Sequence, residues 1–157
     1  MEYWWVNQNQ TWEYEINGGF LWSPKYKKNG SRNQFYENMR RVQVGDIIFS
    51  YYHGLIQNLG TATGQATAAK KPANLGQPGQ WDPDGWQVPV NWRAIAMPLN
   101  PRNIIDRLVP YLPKKYSPLQ RDGNGLQGVY LAHLPEPMAR VLLADLDSPE
   151  AHKFRGV

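Results

Sequence analysis

Two apolar runs, Ile47-Ile48-Phe49-Ser50-Tyr51-Tyr52 and Leu55-Ile56-Gln57-Asn58-Leu59-Gly60, are separated only by His53-Gly54. A two-residue connection between strand-like runs reads as a β-hairpin. Other strand signals group around it. Tyr3-Trp4-Trp5-Val6 is aromatic and β-branched. Phe20-Leu21-Trp22 runs into Ser23-Pro24, where proline ends the ladder. Val88, Val90, Trp92, Ala94 and Ala96 alternate, with Pro89 reading as an edge or a bulge. Val129-Tyr130-Leu131-Ala132 is the last strand. Three helical stripes accompany them: Phe35, Met39 and Val42 behind a capping Asn33; Ile104, Ile105 and Leu108 between Asn100-Pro101 and Pro110; and Met138, Val141 and Leu142 after Glu136. The pattern is α+β, a small barrel with helices on its flank.

The chain has 157 residues, the size of one domain with a real core. Residues 1–147 are read as that domain, and 148–157 as a polar tail or the start of a linker. The absence of cysteine excludes disulfides and thiolate chemistry. With only His53, His133 and His152 and no paired ligand spacing, no metal or other cofactor is expected. Gly123-Asn124-Gly125 lacks the strand, the Lys-Ser/Thr and the helix of a phosphate loop, and Asp82 and Asp84 lie on alternate loop residues that diverge. No catalytic constellation is found. There is no long apolar run and no export signal, so a soluble cytoplasmic protein is expected.

The net charge of +4 favours an anionic partner without specifying one. Lys25, Lys27, Lys28 and Arg32 decorate one loop, and Lys114, Lys115 and Arg121 a second. Beside the first lies Trp22, at a strand-to-loop edge. It is either a core tryptophan or a flat face for an unstacked base whose phosphates meet the cations. A ring of the second kind is only partly buried before its ligand arrives. Asn7-Gln8-Asn9-Gln10 can hydrogen-bond its own turn or read a base edge. From Ala68 to Asp84 the chain reads as a long, unanchored loop with Trp81 inside it and Trp86 beyond. Trp81 either folds back onto the body or waits for a ligand.

These residues resemble a family. Tyr3-Trp4-Trp5-Val6-Asn7 is similar to the opening of EVE domains, members of the PUA-like superfamily that includes the YTH and SRA modified-base readers. Trp5-Val6-Asn7-Gln8-Asn9-Gln10-Thr11, Leu21-Trp22-Ser23-Pro24-Lys25, Gly45-Asp46-Ile47-Ile48-Phe49-Ser50 and Tyr116-Ser117-Pro118-Leu119-Gln120 with Gly123-Asn124-Gly125-Leu126-Gln127 resemble the N-terminal EVE-like domains of modification-dependent HNH endonucleases. The likeness implies a PUA-like twisted β-barrel of about five to seven strands flanked by helices. It also implies an aromatic cage for a flipped base, made by Trp22 of the Trp-Ser pair and a second tryptophan, Trp81 or Trp86. Ser23 lies beside the cage, and Asn9 or Asn7 reads the base edge. The ββα nuclease motif is absent, so the chain would be the reader alone, either free-standing or excised from a full-length parent with a C-terminal nuclease domain.

Flipping a base costs a few kcal/mol, and aromatic stacking returns roughly 1–3 kcal/mol per base. Phosphate contacts from the two basic loops make up the remainder. The expectation is a non-catalytic reader of double-stranded DNA carrying 5-methylcytosine or 5-hydroxymethylcytosine, serving a bacterial restriction system. The alternatives are a reader of modified RNA and a small-molecule or protein-interaction barrel.

Overall fold

In the computed structural model, which describes residues 1–76 and 78–146, side-chain alternation divides the interior in two. On β1 (Tyr3–Asn7), Trp4 and Val6 point to one face while Tyr3 and Trp5 point to the other. The same alternation separates Ile48 from Phe49 on β3 (Ile47–Tyr52) and Leu131 from Ala132 on β7 (Leu131–Leu134). A sheet apolar on both faces needs cover on both. One face takes α3 (Ile105–Leu108) and α4 (Glu136–Leu146), which bring Leu108, Met138, Leu142 and Leu146 against Trp5 and Phe49. On the other, Met39 and Val42 follow the short α2 (Gln34–Glu37) and meet Trp4, Leu21, Ile48, Val88 and Val90.

The sheet is a curled, mixed half-barrel of seven strands in the order β2-β6-β4-β3-β1-β7, with β5 also on β6. The expected hairpin is β3 with β4 (Leu55–Ala62), turned by His53 and Gly54, both at positive φ. β1 lies parallel to β3 and antiparallel to β7. The expected caps form, since Asn33 accepts from the amides of Phe35 and Tyr36, and Asn100 from that of Arg102.

Three readings are corrected. The alternating strand is longer than expected, β6 (Asp84–Leu99), and it is an interior strand. Pro89 sits between Gln87, which pairs with β5 (Thr67–Lys70), and Val90, which pairs with β4, so its missing N–H falls at the change of partner. Residues 68–84 are not one unanchored loop: Ala68–Lys70 are in β5, the amide of Lys71 donates to the carbonyl of Pro83, and Leu75 is fully buried. Finally, α1 (Trp12–Gly18) stands where no helix was expected, closed by Gly19 at φ 74°. The expected tail at 148–157 and His152 lie outside the described residues.

Candidate functional site

β1 ends at Asn7, and Gln8 to Thr11 carry the chain over the top of the sheet into α1. β2 (Phe20–Pro24) delivers Trp22, Ser23 and Pro24 to the same end, as the approach to β7 does Gln127 to Tyr130. Between these segments opens a pocket of about 430 Å³. Its walls include five amide side chains (Asn7, Asn9, Gln10, Gln80 and Gln127) and four aromatic ones (Trp22, Tyr36, Trp81 and Tyr130), and no lining residue carries a formal charge. Such a wall suits a flat, neutral heterocycle with donors and acceptors on its edge.

Of the six base-binding candidates, the pocket brings together Asn7, Asn9, Trp22, Ser23 and Trp81. Trp86 is not among its lining residues. It is paired with Ser23 across the ladder and packs on the inner core, with Lys25 Nζ 4.5 Å and the Arg40 guanidinium 5.2 Å from its ring centroid. Trp81 comes back onto the body, its ring centroid 6.4 Å from that of Trp22 at 52°. Trp22 itself is buried, at 2 % exposure, against the expectation of a half-open ring. Its indole N–H donates to the carbonyl of Ala69 at 3.0 Å, and Gly85 leaves room for the ring, since a β-carbon there would lie 2.3 Å from it. The side-chain oxygen of Asn7 is buried and has no hydrogen-bond partner.

Beneath the pocket lies a residue that sequence reasoning missed. Glu15, on the unforeseen α1, is fully buried and accepts hydrogen bonds from Gln8, Thr11, the Trp22 amide and the Tyr130 hydroxyl. Burial pushes its carboxyl up to about 7, although each of those donors favours the anion. Burial, with Glu15 beside it, also raises the Tyr130 phenol well above its ordinary range. A lone glutamate among polar residues gives no signal of burial in sequence. The short-range clue was Thr11, four residues before it on the same helical face.

The cationic candidates stand outside the pocket. Lys27, Lys28 and Arg32 are exposed; Lys28 donates to the carbonyl of Gly79, and Arg32 is 3.7 Å from Glu37. Lys114, Lys115 and Arg121 are exposed in the segment before β7, with Lys115 Nζ 4.9 Å from the Tyr116 ring. Phe35 touches Tyr116 edge-on, so α2, whose Tyr36 lines the pocket, also contacts the second basic loop. Among the described residues, no group of three His, Asp or Glu side chains could hold a metal ion, and no helix is long and apolar enough to cross a membrane.

No protein-family model and no curated protein matches the chain. Solved structures do match its fold. Human THYN1 in complex with DNA containing 5-methylcytosine superposes with a TM-score of 0.55 at 13 % identity, over 94 % of this chain and 99 % of that one. The Pho92 YTH domain in complex with m6A gives 0.59 at 10 %, over 94 % and 84 %. The YTH domain of Zygosaccharomyces rouxii MRB1 in complex with N6-methyladenosine RNA gives 0.56 at 10 %, over 94 % and 87 %. The chain therefore has the PUA-like fold of YTH domains and THYN1.

Proposed function

We propose that this chain is a non-catalytic reader that takes a modified cytosine, 5-methyl or 5-hydroxymethyl, out of double-stranded DNA and into the pocket at the end of β1 and β2. The observation that carries the proposal is the pocket wall: a tryptophan pair with uncharged amides around it. The aromatic rings offer stacking to a flipped base, and the amides offer hydrogen bonds to its edge. Trp22 and Trp81 supply the faces, Ser23, Asn7 and Asn9 the polar contacts, and Trp86 stands outside the pocket on β6, paired with Ser23. The likeness in fold to a protein solved with 5-methylcytosine DNA supports the same reading. In the full setting this would be the specificity module of a modification-dependent endonuclease in the bacterial cytoplasm, with an HNH nuclease elsewhere in the parent polypeptide.

Titration of matched duplexes bearing cytosine, 5-methylcytosine or 5-hydroxymethylcytosine at one position tests it. A single 5-substituent is worth about 1–3 kcal/mol, so a preference of roughly tenfold or more for one modified duplex is expected. Equal binding of all three refutes the reading. The fold likeness to YTH domains favours one alternative, a reader of modified RNA, and tighter binding of an N6-methyladenosine oligonucleotide would establish that instead.

A further inference from the structure

Glu15 has a saturated shell. Gln8 Nε2 (3.1 Å) and the Thr11 hydroxyl donate to one carboxyl oxygen, and the Trp22 amide (2.6 Å) and the Tyr130 hydroxyl donate to the other. Four donors fill the four lone-pair sites of a carboxylate. A backbone N–H only donates, and the Gln8 nitrogen faces Glu15 while its oxygen accepts from the Ser50 hydroxyl. The two hydroxyl donors, Thr11 and Tyr130, can turn and are also pocket walls. With each proton committed to Glu15, those hydroxyls can offer a ligand only lone pairs, one of which on Tyr130 already faces the Trp22 amide at 3.2 Å.

We infer that Glu15 is the positioning residue that lets this pocket tell 5-methylcytosine from thymine, by holding Thr11 and Tyr130 as hydrogen-bond acceptors. The inference rests on the reading of the chain as a modified-cytosine reader. Both bases carry a methyl group on C5, so a contact with the methyl cannot separate them. They differ at position 4, an amino donor in cytosine and a carbonyl acceptor in thymine, and oppositely at N3, so the discrimination lies where the acceptors meet position 4. An acceptor wall pairs with the amino group and leaves the carbonyl facing lone pairs. If Glu15 takes up a proton, its O–H must donate, and the Thr11 or Tyr130 hydroxyl can receive it. The hydroxyl that does so releases its own proton to the pocket, where it can serve the thymine carbonyl.

Selectivity therefore falls as pH drops through the titration of Glu15, which burial has moved to about 7. The titratable groups that face it from the packed elements are Tyr130 and, through Tyr130, Tyr36, both held neutral by burial; Gln8, Thr11 and Trp22 bring no charge.

The test compares the affinities of two duplexes, with 5-methylcytosine or thymine opposite an abasic site so that neither base is paired, between pH 6.0 and 8.5. Phosphate contacts and surface histidines act on both duplexes equally and cancel in the ratio. The wild-type ratio should exceed tenfold at pH 8.5 and shrink at least threefold by pH 6.0. Glu15→Gln, which cannot accept four hydrogen bonds, should give a low ratio that no longer moves with pH. Tyr130→Phe and Thr11→Val should each lower the ratio at pH 8.5, and these and the wild-type profile decide if Glu15→Gln does not fold. A preference for 5-methylcytosine over cytosine alongside a flat wild-type ratio overturns this inference and leaves the proposed function standing. Failure to prefer either 5-methylcytosine or 5-hydroxymethylcytosine over cytosine at any pH removes both.

Discussion

Trp22 does two jobs that a single substitution confounds. Its ring lines the pocket, yet it is 2 % exposed and fixed at Ala69 and Gly85. Trp22→Ala should therefore cost about 3–5 kcal/mol of stability, as for other buried tryptophans, and read out as unfolding rather than as lost binding. Trp22→Phe keeps a stacking face and isolates the recognition role; a drop in affinity severalfold larger than its change in denaturant midpoint is expected. Gly85→Ala should also lower the denaturant midpoint, because the added methyl would lie 2.3 Å from the indole and 2.4 Å from the Ser23 carbonyl oxygen. Glu15 has its own stability signature. A carboxyl at about 7 in the fold and near 4.5 in the unfolded chain binds extra proton in the native state between those values. Stability then falls as pH rises through that window and levels off above it, by on the order of 3 kcal/mol. Urea midpoints at pH 5 and pH 8 should show the loss in wild type and a much smaller one in Glu15→Gln.

The segment after β5 is held at few points. Leu75 is sunk in the body, Lys28 reaches the Gly79 carbonyl, and the Gln80 amide donates to Gln10 across the pocket mouth. Between the last two contacts and β6 sits Trp81, tilted on Trp22. Exposed polar ties are weak beside an apolar anchor, so the Trp81 stretch can shift while Leu75 stays put. Intrinsic fluorescence should thus be quenched by a modified duplex in wild type and in Trp86→Phe, and less in Trp81→Phe, where Trp22 alone reports; the reverse pattern would give Trp86 the role despite its place under Lys25 and Arg40. This segment also marks where sequence reading ran out. The β3–β4 hairpin, the Asn33 and Asn100 caps and the helical stripes were legible because each rests on neighbours a few residues apart. Leu75 and Ala68-Ala69 gave no such signal, since a lone leucine carries no periodicity and a short strand acquires meaning only from the Gly85 and Trp86 backbone it pairs with. In α1 the buried face is an acid among polar residues, so hydrophobic periodicity had nothing to detect. Trp22 and the amides were legible as candidates, and the choice between Trp81 and Trp86 awaited their places on either side of β2.

At the scale of the whole molecule, charge and recognition are kept apart. The pocket lining is uncharged while the candidate phosphate-binding cations sit in the two loops at 25–32 and 114–121, so affinity and selectivity have separate sources. A neutral pocket loses little to salt, whereas lysines neutralising phosphates release counterions, and log K falls with log salt by about 0.9 per contact. Some cations are partly committed within the protein: Lys25 covers Trp86, Lys28 ties down Gly79, and Arg32 lies by Glu37. The second loop is freer, for none of the ion pairs among the described residues involves Lys114, Lys115 or Arg121. Reversing those three to glutamate should weaken modified and unmodified duplexes by the same factor and reduce the salt slope by about one per residue, leaving their affinity ratio unchanged. Reversal in the first loop should cost more than its phosphate contacts, because losing Lys28 also unties the segment that carries Trp81. There the ratio itself should fall, and an unchanged ratio would mean that the Trp81 segment holds its place without the Lys28 tie.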